Sequence, residues 1–231
     1  MGRLAVIGKL ATLGPPGPST AVPTAEPIAV RDHGTHVTLY RHGLDTYVAP
    51  HRVDHAADLR ALVQLGCDRV LALSSVGTLR VDLPVGSFVA PHDFIALNQT
   101  PVAVDDGAAD HVVPGFTEPW RRRVLAAWRH EAGEPLVEGG VYWQANGPRF
   151  ETPAEIRLIA TFADLIGMTV ASECVAANQL GVAYAAVCVV DNLANGTGAT
   201  PLTPEEYERG VSANAARLTA ALGRVTPVLA S

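Results

Sequence analysis

The sequence predicts an α/β fold with a mostly parallel or mixed sheet covered by helices on both faces. Short β-rich runs alternate along the chain with longer segments whose apolar residues recur at helical spacing. One run, Ala185-Ala186-Val187-Cys188-Val189-Val190, is apolar enough for an interior strand. With 231 residues, 48% of them hydrophobic, the expected unit is one domain over residues 1–231 with an ample core.

Taken in order, Leu4 to Ile7 reads as the first buried strand. Met1 to Gly8 looks like a leader only superficially, because its apolar stretch is short and yields to the Gly/Pro-rich segment Gly14 to Pro18. The runs His36 to Tyr40, Arg69 to Leu73, Ser87 to Ala90, Gly140 to Gln144 and Ala183 to Val190 continue the strands. Helical spacing marks Asp54 to Leu65, Pro119 to Trp128, Pro153 to Phe162 and Ser172 to Leu180. The last helix runs from about Pro204 to Leu222. Thr203 is its expected N-cap, with Glu205 and Glu206 in the first turn, where the helix dipole favours carboxylates. Ala11 to Glu26 and Asn98 to Pro114, the latter with its Asp105-Asp106-Gly107 turn, read as loops.

A net charge of −6 argues against a nucleic-acid partner. No apolar run is long enough to span a bilayer. Cys67, Cys174 and Cys188 are odd in number and lie in apolar contexts, which suits reduced core residues of a cytoplasmic protein. His33, His36, His51 and His55 form no metal-ligand pattern with any cysteine.

Several polar groups stand where apolar elements end. Arg41-His42-Gly43 follows the strand ending at Tyr40, where a guanidinium can grip an oxyanion bidentately and an imidazole can add a donor. Taken alone, the tripeptide reads more simply as a surface arginine beside a capping histidine. Ser74-Ser75-Val76-Gly77-Thr78 follows the next strand as a small-residue turn whose amides can approach an anion; an ordinary turn is the alternative. In Gly147-Pro148-Arg149-Phe150-Glu151-Thr152-Pro153, Thr152 as N-cap and Pro153 at the first helical position explain the helix start. They leave Phe150 and Glu151 unexplained. Asn192 projects from the end of the interior strand, and ligands of open α/β sheets bind outside the carboxyl ends of strands. An aromatic face, a carboxylate and an amide together suit a flat heterocycle bearing donors and acceptors.

Taken together, these segments resemble the purine nucleoside phosphorylase and 5′-methylthioadenosine phosphorylase family, in its homotrimeric branch. The matching pieces are Arg41-His42-Gly43, Ser74 to Leu79 with Pro84-Val85-Gly86, Gly147 to Thr152 with Ala154-Glu155, Gly167-Met168-Thr169 with Glu173, and Val189 to Asn192. The resemblance covers nearly the whole chain. It implies a three-layer α/β/α phosphorylase fold with a mixed, partly barrel-like sheet, and a homotrimer with active sites near subunit boundaries. It also implies purine nucleoside and inorganic phosphate as substrates, with phosphate as co-substrate and no cofactor.

Carried over, Arg41 and His42 look like phosphate ligands, with the backbone of Ser75 and the hydroxyl of Thr169. Ser74 looks like the start of the turn under ribose and phosphate, Met168 like the ribose contact, and Phe150 like the base-stacking ring. Glu151 and Asn192 look like the polar readers of the purine. Arg41, Glu151 and Asn192 are thereby expected to carry the catalysis. Asp191 is the carboxylate that a one-residue register change would bring to the base.

The chain departs from the family where a Gly-Gly-Ser/Thr-Gly turn usually follows the first strand. Here the segment is Gly8-Lys9-Leu10-Ala11-Thr12-Leu13, so the phosphate-contacting hydroxyl is missing unless Thr12 replaces it, and Lys9 offers charge instead. Ser172 also stands where the pattern has proline. Members preferring adenine have serine after the phenylalanine and aspartate at the strand end, so Glu151 and Asn192 point to 6-oxopurines. The start of the last helix holds no histidine, and Leu202, Pro204 and Val211 suit a methylthio group, favouring 5′-methylthioinosine; Tyr207 would oppose this. A nucleoside hydrolase on the same fold, an adenine-specific 5′-methylthioadenosine phosphorylase and a silent nucleoside-binding paralogue are the competing readings.

Overall fold

A computed structural model describes residues 2–9, 13, 20–21, 28–97 and 111–231. Thr12 lies outside the described residues, as do most of the two expected loops. The strands are β1 (Arg3–Gly8), β2 (Thr20–Ala21), β3 (Val30–Asp32), β4 (His36–Tyr40), β5 (Cys67–Thr78) and β6 (Phe88–Ala90). They continue with β7 (Asp93–Ile95), β8 (Leu136–Glu138), β9 (Val141–Gln144), β10 (Leu165–Gly167) and β11 (Ala183–Leu193). The helices are α1 (His55–Gln64), α2 (Glu118–Glu131), α3 (Pro153–Ile159), α4 (Val170–Gln179) and α5 (Pro204–Ala230).

The sheet is mixed and branched. β1 runs parallel to β4 on one side and to β5 on the other. β5 is also parallel to β11 through most of its length, while its end, Gly77 and Thr78, pairs antiparallel with β10. One branch thus continues as β10, β9 and β7, and the other as β11, β6 and β8. This fork is the distortion of the central sheet that the resemblance implies.

Alternation along the inner strands builds two cores. Ala5 and Ile7 of β1, Val70 and Ala72 of β5, and Ala186, Cys188 and Val190 of β11 pack with Leu59 and Leu62 of α1 and Val170 and Cys174 of α4. Their neighbours Leu4, Val6, Leu71, Leu73, Ala185, Val187 and Val189 face Trp120, Val124 and Trp128 of α2 and Leu218, Leu222, Val225 and Leu229 of α5. A strand buried on both faces needs an apolar residue at every position, which is why these segments read as unbroken runs. The three cysteines are free and buried. Among the described residues, no helix is long and apolar enough to cross a membrane.

The helix starts follow local chemistry. Asp54 caps α1 by accepting from Ala57 N at 2.9 Å. Thr152 and Glu155 form a reciprocal capping box at α3, behind Pro153. Thr203 caps α5 by accepting from Glu206 N at 3.2 Å.

Four expectations need correction. Ser74 to Thr78 is strand, not a turn, because β11 pairs alongside it and β10 takes its end, so its backbone groups are satisfied in ladders. β11 likewise continues past Val190 to Leu193, and α5 runs on to Ala230 because Val225 and Leu229 extend its apolar stripe. α3 stops at Ile159, leaving Phe162 exposed.

Gly210 allows α5 to seat against β11. A β-carbon there would overlap the carbonyl oxygen of Asp191, so only glycine lets the helix approach the strand this closely. Gly210→Ala is expected to cost about 2–3 kcal/mol, in the range of core overpacking. Thermal unfolding should show Tm lowered by roughly 5–10 °C for a domain of this size.

Candidate active site

A cavity of about 710 Å³ opens at the carboxyl ends of the central strands. Lys9 reaches it from beyond β1, Arg41 and His42 from beyond β4, Ser74 to Gly77 from β5 and Asn192 from β11. Phe150 and Glu151 come from the segment before α3, Met168 and Thr169 from the entry to α4, and Leu202, Tyr207, Glu208, Val211 and Ser212 from α5 and its approach. Of the residues expected at the site, Arg41, His42, Ser74, Ser75, Phe150, Glu151, Met168, Thr169 and Asn192 all line this one space.

Arg41 is buried, and its fork is already engaged. Its Nε donates to Glu173 Oε1, Nη2 donates to Glu173 Oε2 at 2.8 Å, and Nη1 donates to Leu73 O at 2.7 Å. The bidentate edge expected to grip an oxyanion is therefore spent on Glu173, leaving one N–H on each terminal nitrogen. Tyr184 donates to Glu173 at 2.7 Å and completes its shell. His55 lies 3.8 Å from the same carboxylate, but burial pulls its pKa down to about 4, so the ring is neutral. Burial, aided by the charge of Glu173, pushes Asp58 up to about 8, so it too is uncharged at neutral pH. Arg41 and Glu173 thus sit as a compensated pair among neutral neighbours.

His42 also differs from expectation. Its Nδ1 lies 2.8 Å from Val48 O, and since a carbonyl only accepts, Nδ1 carries the proton. Burial, and then the charge of Arg41, lowers its pKa to about 4. The neutral ring leaves Nε2 as an acceptor rather than the added donor.

Two residues of β9 set the entry to α4. Tyr142 Oη accepts from Thr169 N at 3.2 Å, and Gln144 Oε1 accepts from Ser172 N at 3.0 Å. Gln144 Nε2 also donates to Ser172 Oγ at 2.6 Å, which gives the serine standing in place of proline a structural use. Thr169 is the N-cap residue, yet its side chain makes no capping bond, so its hydroxyl is left for the cavity.

The end of β11 carries an irregularity. Val190 pairs with Val76 and Asn192 with Gly77, so Asp191 is the extra residue of a bulge. Asp191 does not line the cavity, so the carboxylate that a register change would bring to the base is turned away from it. It accepts from Ser75 Oγ and, at 2.8 Å, from Asn214 Nδ2 of α5. Asn192 does line it, with Nδ2 donating to Leu193 O at 2.8 Å and its second N–H and Oδ1 unused. A β-carbon at Gly77 would come within 3.1 Å of this amide, so the glycine makes room for it. Glu151 is half-buried, which raises its carboxyl above the ordinary range. Phe150 stands 5.8 Å from the Tyr207 ring, tilted by 60°.

The α5 side is more polar than expected. Leu202 and Val211 line the cavity but Pro204 does not, and Tyr207, Glu208 and Ser212 join them. Lys9 also lines it and donates to Tyr207 Oη at 2.7 Å.

The profile of the Phosphorylase superfamily matches residues 10–227. This chain belongs to the phosphorylase superfamily. Among its relatives, a probable 6-oxopurine nucleoside phosphorylase of Archaeoglobus fulgidus is 41% identical over 174 residues, covering 75% of this chain and 71% of that protein. A probable S-methyl-5′-thioinosine phosphorylase of Methanothermobacter thermautotrophicus is 38% identical over 177 residues, covering 75% of this chain and 62% of that protein. Methylthioadenosine phosphorylase from Schistosoma mansoni, solved with adenine, superposes with a TM-score of 0.76 over 99% of this phosphorylase and 91% of that chain at 21% identity, a likeness of fold.

Two outcomes follow for the buried groups of this phosphorylase. Glu173→Leu strands the Arg41 guanidinium and should cost about 3–5 kcal/mol in denaturant unfolding, whereas adding Arg41→Met should recover most of that loss. An Arg41 substitution made alone therefore reports folding as well as ligand binding. In the ligand-free protein, the His42 ring should remain neutral from pH 8 down to pH 5, so its NMR resonances should not titrate in that interval.

Proposed function

We propose that the protein catalyses phosphorolysis of 6-oxopurine nucleosides, releasing the free base and a ribose 1-phosphate, with 5′-methylthioinosine favoured. It is a pentosyltransferase of the purine nucleoside phosphorylase type. The observation that carries this reading is that Glu151 and Asn192 share one cavity with Phe150. A desolvated carboxylate seeks a donor, and the N1–H of hypoxanthine or guanine provides one where adenine presents a bare lone pair. Asn192 has one N–H to give to O6 or N7 and Oδ1 to accept with. A site built around such bonds rejects the analogue that leaves them unpaired. Similarity to the probable 6-oxopurine nucleoside phosphorylase of Archaeoglobus and the probable S-methyl-5′-thioinosine phosphorylase of Methanothermobacter supports this assignment.

Cleavage of the N-glycosidic bond builds positive charge on the sugar and negative charge on the purine. Phosphate held beneath the ribose stabilises the first and attacks the anomeric carbon, while the Asn192 amide stabilises the second. The remaining N–H groups of Arg41, the Thr169 hydroxyl and the Ser75 backbone suit the phosphate oxygens. His42 Nε2 suits the hydroxyl of a protonated phosphate. Met168 and Ser74 suit the ribose, and Leu202 and Val211 the 5′-methylthio group. No cofactor is required beyond phosphate as co-substrate. The reading includes a cytoplasmic homotrimer, which the free buried cysteines and the exposed Tyr47 at the cavity edge suit.

The direct test is product analysis with inosine, 5′-methylthioinosine and 5′-methylthioadenosine, each with and without phosphate. Phosphate-dependent turnover, fastest with 5′-methylthioinosine, is expected; phosphate-independent release of base would make the protein a hydrolase. Asn192→Asp should lower kcat/KM for 5′-methylthioinosine by about 10²–10³-fold, the cost of removing one preorganised donor. Its ratio to 5′-methylthioadenosine should fall with it, and an unchanged ratio would remove Asn192 from base recognition.

A further inference from the structure

Phosphate carries close to two negative charges, and the cavity offers it little uncompensated positive charge from the expected residues. Arg41 is matched by Glu173 through both arms of its fork, so the pair contributes no net charge. His42 keeps its only ring proton on Nδ1, bonded to Val48 O.

Lys9 differs. It follows β1, whose Gly8 is in register with Tyr40, and Arg41 N donates to Gly8 O at 3.0 Å. The chain therefore leaves β1 and β4 side by side, with Lys9 and Arg41 as the next residues of each. The ammonium donates to Tyr207 Oη at 2.7 Å and lies 4.8 Å from the centroid of the Tyr207 ring. Both contacts are to a neutral group. Among the described residues, no carboxylate lies within 4.0 Å of Lys9 Nζ. The ammonium has two further N–H donors, and it belongs to the lining of the cavity. Its field is felt across the site, adding to burial and Arg41 in lowering His42 and opposing the effect of burial on Asp191.

We propose that Lys9 is a phosphate-binding residue, bringing an uncompensated positive charge to the phosphate from the end of β1, with Tyr207 holding the ammonium in place from α5. This deepens the phosphorolysis reading and rests on it. Lys9 contributes a point charge rather than a fork, so arginine can replace it in charge with some loss of fit.

The test titrates inorganic phosphate into the purified wild-type protein and into Lys9→Met, Lys9→Arg and Tyr207→Phe by calorimetry, with hypoxanthine titrated in parallel and thermal midpoints recorded. Lys9→Met should weaken phosphate binding about 10- to 100-fold, the range of a charge-assisted hydrogen bond, while hypoxanthine binding changes by no more than about twofold. Lys9→Arg should retain most of the phosphate affinity, and Tyr207→Phe should lose only a few-fold. The same split should appear in turnover, with KM for phosphate raised and KM for nucleoside nearly unchanged. Unchanged phosphate affinity in Lys9→Met would overturn the proposal while leaving phosphorolysis intact. Equal loss of phosphate and hypoxanthine binding at an unaltered thermal midpoint would overturn it as well. Wild-type protein that binds phosphate yet releases base without it would count against the phosphorolysis reading alone, and wild-type protein that binds no phosphate would sink both.

Discussion

Because β5 and β11 pair in parallel from Arg69 and Ala183 to Thr78 and Leu193, their side chains are committed by strict alternation to the two helix layers. That commitment holds until the strands reach the carboxyl edge of the sheet. There Ser74, Ser75 and Asn192 interrupt the apolar run, and the backbone delivers them to one cavity. The site is thus a continuation of the core: the strands that exclude water below it also aim the polar groups above it. Rigid placement of this kind is what electrostatic catalysis needs, because the donors need not reorganise when charge develops.

The polar groups are held by partners of their own. Arg41 is gripped by Glu173 and Leu73, Glu173 by Tyr184, and the entry to α4 by Tyr142 and Gln144. Buried ion pairs gain little net stability but penalise the loss of either partner heavily. Their use here is positional: the guanidinium is locked in one orientation, with the few donors it retains set relative to Thr169 and Ser75.

Much of the architecture was legible in the sequence because the inner strands and amphipathic helices bury long apolar stretches whose periodicity is plain. The short strands β2, β3, β7, β8 and β10 were not, since two or three residues carry no period. Arg41, Phe150, Glu151, Met168 and Asn192 stood out as polar or aromatic breaks at element ends. The partner of Arg41 did not, because Glu173 is 132 residues away and the ion pair exists only once α4 packs on the sheet. Glu208 and Ser212 look like ordinary helix-surface residues in one dimension; only the seating of α5 through Gly210 turns them to the cavity. Ser74 to Thr78 read as a turn because small polar residues are common there, but the pairing of β11 and β10 overrode that local preference.

The bulge at the end of β11 sets Asp191 and Asn192 together against a single residue of β5, Gly77. One strand end therefore carries a carboxylate and an amide side by side, the first turned to α5 through Asn214 and the second presented to the cavity. Loss of either residue would restore regular pairing and leave the other opposite Gly77. For a lineage built on this scaffold, the hydrogen-bonding identity of the base pocket is thus open to change by deletion as well as by substitution, at a place where the sheet already tolerates an extra residue.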